Sequence, residues 1–353
     1  MKTVIGNKQI SLLEKLSNAV AVSSDEHEVR AIVLHEIRPH AEEVRVDSIG
    51  NVLVRKKINV KGRPRVMLDA HMDEIGFILT MDEGEGIFRF ELIGGIDIRQ
   101  LPGKLVSVGR EHVPGVIGIR PIHLLTNEEM TRKVPLENLR IDVGPGAGKV
   151  KTGDFGTFAT RFQRNGDILI GKAFDDRLGV ATLIELIKNA PANIDLVAAF
   201  TVQEEVGLRG AGVAAHALEP DMAIAVDSTP ASDLPGWDGR ENTTYNTKFG
   251  KGPAIYVADS ATLSDPRLIR LLTDTADAEG IPCQFRQPGG GGTDAGAIHL
   301  RRGGFPSISV SVPGRYPHSS VGLVHLDDWK NTLALLNATL QRITPDTLSQ
   351  ERA

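Results

Sequence analysis

Strands and helices alternate along the second half of the sequence, and this alternation limits the fold more than any other feature does. Short apolar runs that are typical of strands are followed by longer runs with helical spacing. The strand-like runs cover 168–170, 196–202, 222–226 and 308–312, and the helical runs cover 177–188, 266–279 and 327–342. A strand that returns to its sheet through a helix runs parallel to the strand before it. The pattern therefore predicts an α/β fold in which helices flank a mostly parallel, mixed sheet.

The segment 74–163 has a different pattern, because short strand-like runs and turns fill almost all of it. Runs such as Phe88-Arg-Phe-Glu-Leu and Leu105-Val-Ser-Val are separated by Gly and Pro, and no long amphipathic helix interrupts them. We predict that 74–163 is an inserted all-β, barrel-like domain. Residues 1–73 and 164–353 then form one discontinuous α/β domain.

Two helices are predicted within the first forty residues. Leu12, Leu13 and Leu16 recur at helical spacing in the first of them. The sequence Ser23-Ser-Asp-Glu26 has the form of a capping box and predicts the start of the second helix, which Pro39 ends.

The composition argues against several classes of partner. The chain has 40 Lys and Arg residues against 45 Asp and Glu residues, with no basic block, which argues against nucleic acid. Its apolar runs fall far short of the roughly 20 residues that cross a membrane. The first residues turn polar after two apolar ones, unlike a signal peptide, so we expect a cytoplasmic protein. The single cysteine, Cys283, cannot form an internal disulfide, so a metal site must use His, Asp or Glu.

Residue types that bind metals follow five predicted strands. In open α/β sheets functional groups lie beyond the carboxyl ends of the strands, so these residues are expected at one edge. They are His71 and Asp73, Asp175 and Asp176, Glu204 and Glu205, Asp227, and His318. Each of them alone is more often structural, but carboxylates that meet at one edge repel each other unless cations hold them together. The conjunction therefore predicts a pair of divalent metal ions.

The spacing within two of these pairs suggests different roles for their members. His71 and Asp73 lie on the same side of an extended chain, so Asp73 can bond the far nitrogen of a metal-bound His71 and fix its tautomer. In Glu204-Glu205 adjacent side chains diverge, so that one can bind metal while the other faces a water molecule. That division suits a general base beside a metal.

Five motifs, in this order, resemble those of the TET aminopeptidases. These are cytosolic dinuclear-metal exopeptidases, often labelled glutamyl aminopeptidases and in some cases endoglucanases. The likeness covers nearly the whole chain, including the β-rich segment after the first motif. The motifs are His71-Met-Asp73-Glu-Ile-Gly, Ala173-Phe-Asp-Asp-Arg-Leu-Gly179, Glu204-Glu205-Val-Gly-Leu-Arg-Gly210, Val226-Asp227 and the late His318.

The resemblance implies a ligand set for two divalent ions in each subunit. Asp175 would bridge the two ions with Asp176 behind it, although both acids fit the motif. His71 and Asp227 would complete one site. Zinc or cobalt suits such mixed ligands better than magnesium or calcium does.

Glu205 and His318 would complete the second site, and Glu204 would be the general base. The resemblance then implies hydrolysis of the first peptide bond of short peptides. A metal-bridging water would lose its proton to Glu204 and attack the peptide carbonyl, and Glu204 would protonate the leaving amine. A free α-amine bound at one metal would make the enzyme an aminopeptidase. Its preferred N-terminal residue is not predicted.

A glycine-rich segment, Pro288-Gly-Gly-Gly-Gly-Thr-Asp294, lacks the Gly-Lys-Ser/Thr ending of a phosphate-binding loop. It is either a turn into a helix or a loop that faces the substrate, and the TET family has a similar Gly-Gly-Thr-Asp segment near its site. His299, on the helix that follows, is expected to be structural. The candidates for contact with the substrate or with the metal ligands are Asp176, Arg177, Gly291, Thr293 and Asp294.

Two other functions stay open at this stage. A metal-dependent deacylase of N-acyl amino acids can use the same metal centre, but such relatives usually carry a helix-and-sheet lid where this chain has a β-barrel pattern. A catalytically silent, metal-stabilised scaffold is the other alternative, and Glu204 argues against it because a structural site has no use for a free base.

The resemblance also implies a role for the β-rich insert. In the TET family it mediates dimerisation, and the dimers assemble into a hollow dodecamer that admits short peptides to the active sites inside. The sequence leaves the choice between dimer and dodecamer open. It also leaves open that the insert is a lid on a monomer.

Overall fold

The protein is described by a computed structural model that covers residues 4–57, 61–146, 148–234, 247–286 and 290–349. Within these ranges the strands form one large mixed sheet and one closed barrel. None of the helices in these ranges has the length and apolar character needed to cross a membrane. The helices are α1 (Asn7–Asn18), α2 (His27–Ile37), α3 (Asn127–Thr131), α4 (Phe174–Lys188), α5 (Arg209–Leu218), α6 (Pro266–Glu279), α7 (Asp294–His299) and α8 (Leu326–Arg342). The strands are β1 (Glu43–Val46), β2 (Val52–Arg55), β3 (Arg65–His71), β4 (Gly76–Asp82), β5 (Ile87–Ile93), β6 (Leu105–Val108), β7 (Val113–Gly118), β8 (Arg140–Asp142), β9 (Phe155–Phe158), β10 (Gln163–Asn165), β11 (Ile168–Gly171), β12 (Asp195–Thr201), β13 (Met222–Pro230), β14 (Ala254–Tyr256), β15 (Gln284–Arg286), β16 (Ser307–Arg315) and β17 (Gly322–His325).

The centre of the large sheet is parallel, as the sequence predicts. Strand β3 pairs in parallel with β12 on one side and with β13 on the other, and β13 pairs in parallel with β16. The outer strands are antiparallel to their neighbours, so the predicted mixed sheet is confirmed. The order across the sheet is β1-β2-β12-β3-β13-β16-β17-β11-β10, with β14 and β15 beside β16.

Helices cover both faces of this sheet. Alternate residues of β3 enter different cores, with Val66 and Leu68 facing the helices α1, α2, α4 and α8, and Met67 facing α5 and α7. Strands that are buried on both faces read as continuous apolar runs, which explains the run at 196–202. Helix α4 lies across β3 and β13 and is almost wholly buried.

The β-rich insert is a closed barrel with the strand order β4-β5-β8-β7-β6-β9. Its interior is packed with aliphatic side chains and phenylalanine rings, and Phe77 meets Phe90 and Phe158 edge to face at centroid distances of 5.4 and 5.2 Å. The barrel strands extend from β4 to β9, and the chain rejoins the large sheet at β10. The predicted all-β barrel is therefore confirmed.

The predicted capping box at the start of α2 is wrong. The helix begins at His27, and its N-cap residue, Glu26, makes no side-chain bond to the first turn. The hydroxyl of Ser23 instead donates to Oδ2 of Asp73 at 2.6 Å. Because α2 begins at His27 with Glu26 as its N-cap, Ser23 lies three residues before the N-cap and cannot cap the helix.

Candidate metal centre

The carboxyl ends of the central strands bring the predicted metal ligands to one edge of the sheet. His71 ends β3 and lies beside Thr201, which ends β12. Glu204 and Glu205 therefore follow β12 at the same edge. Asp227 lies within β13, Asp175 lies at the start of α4, and His318 follows β16.

Two groups of ligand atoms share Asp175. The first group is His71, Asp175 and Asp227, and the second is Asp175, Glu205 and His318; within each group the ligand atoms lie within 4.8 Å of one another. Oδ1 of Asp175 lies 3.1 Å from Nε2 of His71, whereas Oδ2 lies 3.4 Å from Nε2 of His318. The two oxygens of one carboxylate thus face two different groups.

The two acids at the start of α4 point in different directions. Both have non-helical backbone angles, and the peptide bond between Asp175 and Asp176 is cis. Asp176 lies outside both ligand groups, is fully buried, and accepts a bond from the backbone amide of Gly179 at 2.8 Å. A Cβ at Gly179 would lie 2.2 Å from Oδ2 of Asp176, so glycine is required there.

Crowded and buried carboxylates dominate the electrostatics of the site. Burial raises the pKa of Glu205 to about 8, and it also raises the pKa values of Glu204 and Asp227 well above the ordinary range. Burial opposes protonation of His318, but Asp175 and Glu205 raise its pKa to about 10. Imidazole and carboxylate groups suit zinc or cobalt, and positive charge would relieve the repulsion. The donor set therefore fits divalent cations.

Asp73 contacts both His71 and the Glu204-Glu205 pair. Nδ1 of His71 lies 3.1 Å from the main-chain carbonyl oxygen of Asp73 and 3.5 Å from its Oδ1, so the carbonyl is the nearer partner. The carboxylate of Asp73 also accepts bonds from the backbone amides of Glu204 and Glu205, at 3.0 and 3.2 Å. One buried side chain thus connects β3 with the segment after β12.

Arg177 lies behind the site and not in the cleft. It is fully buried, and its guanidinium donates to the carbonyl oxygens of Met72 and Asp73 and to Oε1 of Glu74. Lys172 also donates to the Glu74 carboxylate, at 2.8 Å. The sequence analysis gave no role to Glu74, which lies within the first motif, and it missed Lys172, which directly follows the apolar run 168–171.

A cleft of about 690 Å³ opens beside the ligand groups. It is lined by Glu204, by Gly291 and Thr293 of the glycine-rich segment, and by Tyr256 and Arg286. Gly291 has a φ of +83°, which favours glycine. The substrate-facing reading of this segment thus has support at these two positions, whereas Pro288 and Gly289 lie outside the described residues.

Asp294 lies beneath the cleft. It is buried, and its Oδ2 accepts a bond from the Thr201 hydroxyl at 2.6 Å. Burial and the neighbouring Asp294 raise the pKa of Asp69, a fully buried residue of β3 that the sequence reasoning did not single out. His299 makes a local bond within α7, to the carbonyl oxygen of Ala295 at 3.1 Å.

Comparison with known proteins identifies a family whose model fits most of the chain. The model for M42 glutamyl aminopeptidase matches residues 50–335. The chain is also 32% identical over 349 residues to the lysyl aminopeptidase of Pyrococcus furiosus, covering 95% of this chain and 97% of that protein.

Solved structures have the same architecture. A TET aminopeptidase from the marine sediment archaeon Thaumarchaeota archaeon SCGC AB-539-E09 matches with a TM-score of 0.91 and 35% identity, covering 97% of this chain and 98% of that one. The TET1 peptidase of Pyrococcus horikoshii matches with a TM-score of 0.82 and 35% identity, covering 95% and 100%. The latter is described as able to assemble into a tetrahedron or a large octahedral shell.

Proposed function

Because the chain belongs to the M42 glutamyl aminopeptidase family, it is an aminopeptidase that hydrolyses peptide bonds, and we propose that it removes N-terminal residues from short peptides. The proposed active site is a centre of two divalent metal ions, with Glu204 as the general base. The observation that carries the proposal is the position of Asp175. Its two oxygens face separate sets of ligands, as expected of a carboxylate shared by two ions.

The proposed ligands are those of the two groups. His71, Asp175 and Asp227 would hold one ion, and Asp175, Glu205 and His318 would hold the other. Zinc or cobalt is the proposed metal, because both accept imidazole and carboxylate ligands. When bound, the ions would supply Lewis acidity for the peptide carbonyl and lower the pKa of a water molecule.

Glu204 is proposed as the base because it lines the cleft and belongs to neither ligand group. Its backbone amide is bonded to Asp73, which fixes the segment that carries it. In the proposed reaction, the Glu204 carboxylate takes a proton from the attacking water and then gives it to the leaving amine. In the proposed complex the free α-amine of the substrate would be held at one of the two ion sites, which would make the enzyme an aminopeptidase.

We expect the enzyme to require a free α-amine and to tolerate a blocked carboxyl terminus. Acetylation of a short peptide at its N-terminus turns the basic amine into an amide, which is a poor metal ligand, so hydrolysis should be lost. Amidation of the C-terminus leaves the α-amine and the first peptide bond unchanged and should be tolerated. The measurement is product release by chromatography from one peptide in its free, N-acetylated and C-amidated forms.

The products formed from N-acyl amino acids and from free peptides distinguish the deacylase alternative from the proposed function. A deacylase would release acetate or another acyl group from N-acyl amino acids and would leave the free peptide intact. A panel of aminoacyl-p-nitroanilides on the same preparation would then report the preferred N-terminal residue.

We further propose that residues 74–163 form a dimerisation domain and that 1–73 and 164–353 form the catalytic domain. The related Pyrococcus horikoshii TET1 peptidase has been solved as a dodecamer, which supports assembly of this chain into dimers and a dodecamer. A hollow assembly would limit access to short peptides. The proposed place of action is the cytoplasm, as the resemblance to cytosolic exopeptidases implies.

Light scattering should give the intact protein a mass of about twelve times the 38.1 kDa of one chain. A variant in which a Gly/Ser linker replaces residues 76–158 should have a much smaller mass, because the barrel is absent. This variant retains Glu74, the partner of the buried Lys172 and Arg177. A monomer at micromolar concentration for the intact chain would contradict the assembly role.

A further inference from the structure

We propose that Ser23 is a positioning residue for this reaction. Its hydroxyl holds the carboxylate of Asp73, and Asp73 in turn holds the main chain of Glu204 and Glu205. The inference rests on the proposed function in one respect, which is the role of Glu204 as the base.

The first contact joins two buried side chains. Oγ of Ser23 donates to Oδ2 of Asp73 at 2.6 Å, and the two residues are 3% and 0% exposed. A hydroxyl bonded to a carboxylate at this distance forms a strong, charge-assisted bond. A buried carboxylate that loses a donor must rotate to find another or remain poorly solvated. The Ser23 hydroxyl therefore restrains the orientation of the Asp73 carboxylate.

The second contact carries that restraint to the base. Oδ1 of Asp73 accepts from the amide of Glu204 at 3.0 Å, and Oδ2 accepts from the amide of Glu205 at 3.2 Å. Oδ2 is thus shared between Ser23 and Glu205. A rotation of the carboxylate would weaken both amide bonds and move the backbone that carries the base and a metal ligand. Errors of about 1 Å in such positions can cost about 100-fold in rate.

The loop that carries Ser23 is anchored without its hydroxyl. The amide of Ala21 donates to Oε1 of Glu74 at 3.0 Å, and the amide of Glu74 donates to the carbonyl of Ala21 at 2.9 Å. Val22 packs so closely on β4 that a Cβ at Gly76 would lie 2.6 Å from its Cγ2. Removing the hydroxyl should therefore leave the loop in place. Ser23 lies outside residues 50–335, which the family model matches.

The kinetic test compares Ser23→Ala with Ser307→Ala. Ser307 is also buried, and its hydroxyl donates to the carbonyl of Phe305 at 2.9 Å. It lies roughly 13 Å along β16 from Ser311, which pairs with Asp227. Ser23→Ala should lower kcat by roughly 10-fold to 100-fold, with KM and metal content unchanged, whereas Ser307→Ala should retain kcat. Ser23→Thr keeps a hydroxyl and should recover part of the loss.

A second readout needs neither metal nor substrate. Amide hydrogen exchange, measured by mass spectrometry on metal-free protein, should accelerate in the fragment that contains residues 203–208 in Ser23→Ala and Asp73→Asn. It should not change there in Ser307→Ala. The double variant Ser23→Ala/Asp73→Asn should lose no more kcat than Asp73→Asn alone, because both changes disrupt the same connection from Ser23 through Asp73 to the main chain of Glu204.

These measurements separate failure of the inference from failure of the proposed function. Unchanged exchange in a folded Ser23→Ala variant would overturn the inference, and so would additive losses in the double variant. Loss of metal that explains the loss of activity would overturn it too, because Ser23 would then act through a metal ligand, His71 or Glu205, and not through the base. Faster exchange in a protein that hydrolyses no peptide would support the link to the Glu204 segment and refute the proposed function. If Ser23→Ala does not fold, Ser23→Cys, with a weaker donor of similar size, is expected to show the same effects to a smaller degree.

Discussion

Glu204→Gln should lower kcat by about 100-fold or more while the protein keeps its metal. Glutamine has the size and polarity of glutamate but cannot take the proton that the reaction must remove from water. Glu204 lies in the cleft and outside both ligand groups, so its replacement should leave the metal ligands intact. Steady-state kinetics and elemental analysis on the same sample measure the two quantities.

Glu205→Gln is the matched control, since it makes the same chemical change at the neighbouring residue. Oε2 of Glu205 lies 3.5 Å from Nε2 of His318, within the second ligand group. We therefore expect Glu205→Gln to reduce metal content as well as activity. The reverse result, in which Glu204→Gln loses metal and Glu205→Gln retains it, would exchange the roles of the two residues.

The position of the site could be predicted because strand direction fixes it. His71 ends β3 and is paired with Thr201 at the end of β12. Any residue shortly after Thr201, such as Glu204, must then lie beside His71. The apolar pattern of parallel strands makes these ends visible in the sequence. The closed barrel could be predicted for a similar reason, since its short strands follow each other with no long amphipathic helix between them; α3, between β7 and β8, has five residues.

The different positions of Asp175 and Asp176 relative to the ligand groups could not be predicted from the residue types. Both are aspartates in one motif, and only the backbone angles at the start of α4 turn them to different sides. Asp175 faces the two histidines, and Asp176 faces the amide of Gly179. The glycine at position 179 reflects this arrangement, because the Asp176 carboxylate leaves no room for a Cβ there. The glycine alone does not indicate which of the two acids it accommodates.

The error at Ser23 has a different origin, because a local pattern competes with a distant contact. Ser23-Ser-Asp-Glu26 satisfies the rule for a capping box, and the rule considers only neighbours in the chain. In the folded protein α2 begins only at His27, and the Ser23 hydroxyl donates to the carboxylate of Asp73. A local rule that fails beside a candidate site is itself a signal of function. The role of Glu74 also depends on distant residues, because its buried partners, Lys172 and Arg177, lie far along the chain.

Asp175→Asn should have the largest effect on metal content, because Asp175 is the one acid common to both ligand groups. Chelation of the wild-type protein should abolish activity, and Zn²⁺ or Co²⁺ should restore it. Asp175→Asn should bind little metal and should not recover activity with either ion, because a neutral amide cannot bridge two cations. Elemental analysis after dialysis, followed by assays with each ion, measures both effects. Full activity in chelator, with no metal detected, would contradict the metal requirement.

Asp176→Asn provides the control for Asp175→Asn with an identical change at the adjacent residue. Asp176 belongs to neither ligand group, and an asparagine oxygen can still accept the bond from the amide of Gly179. Burial also raises the pKa of Asp176 well above the ordinary range, so a neutral side chain suits this position. We therefore expect Asp176→Asn to retain metal and much of the activity. Loss of metal in Asp176→Asn with retention in Asp175→Asn would assign the bridging position to Asp176, and loss in both would mean that the two ions depend on the whole turn at the start of α4.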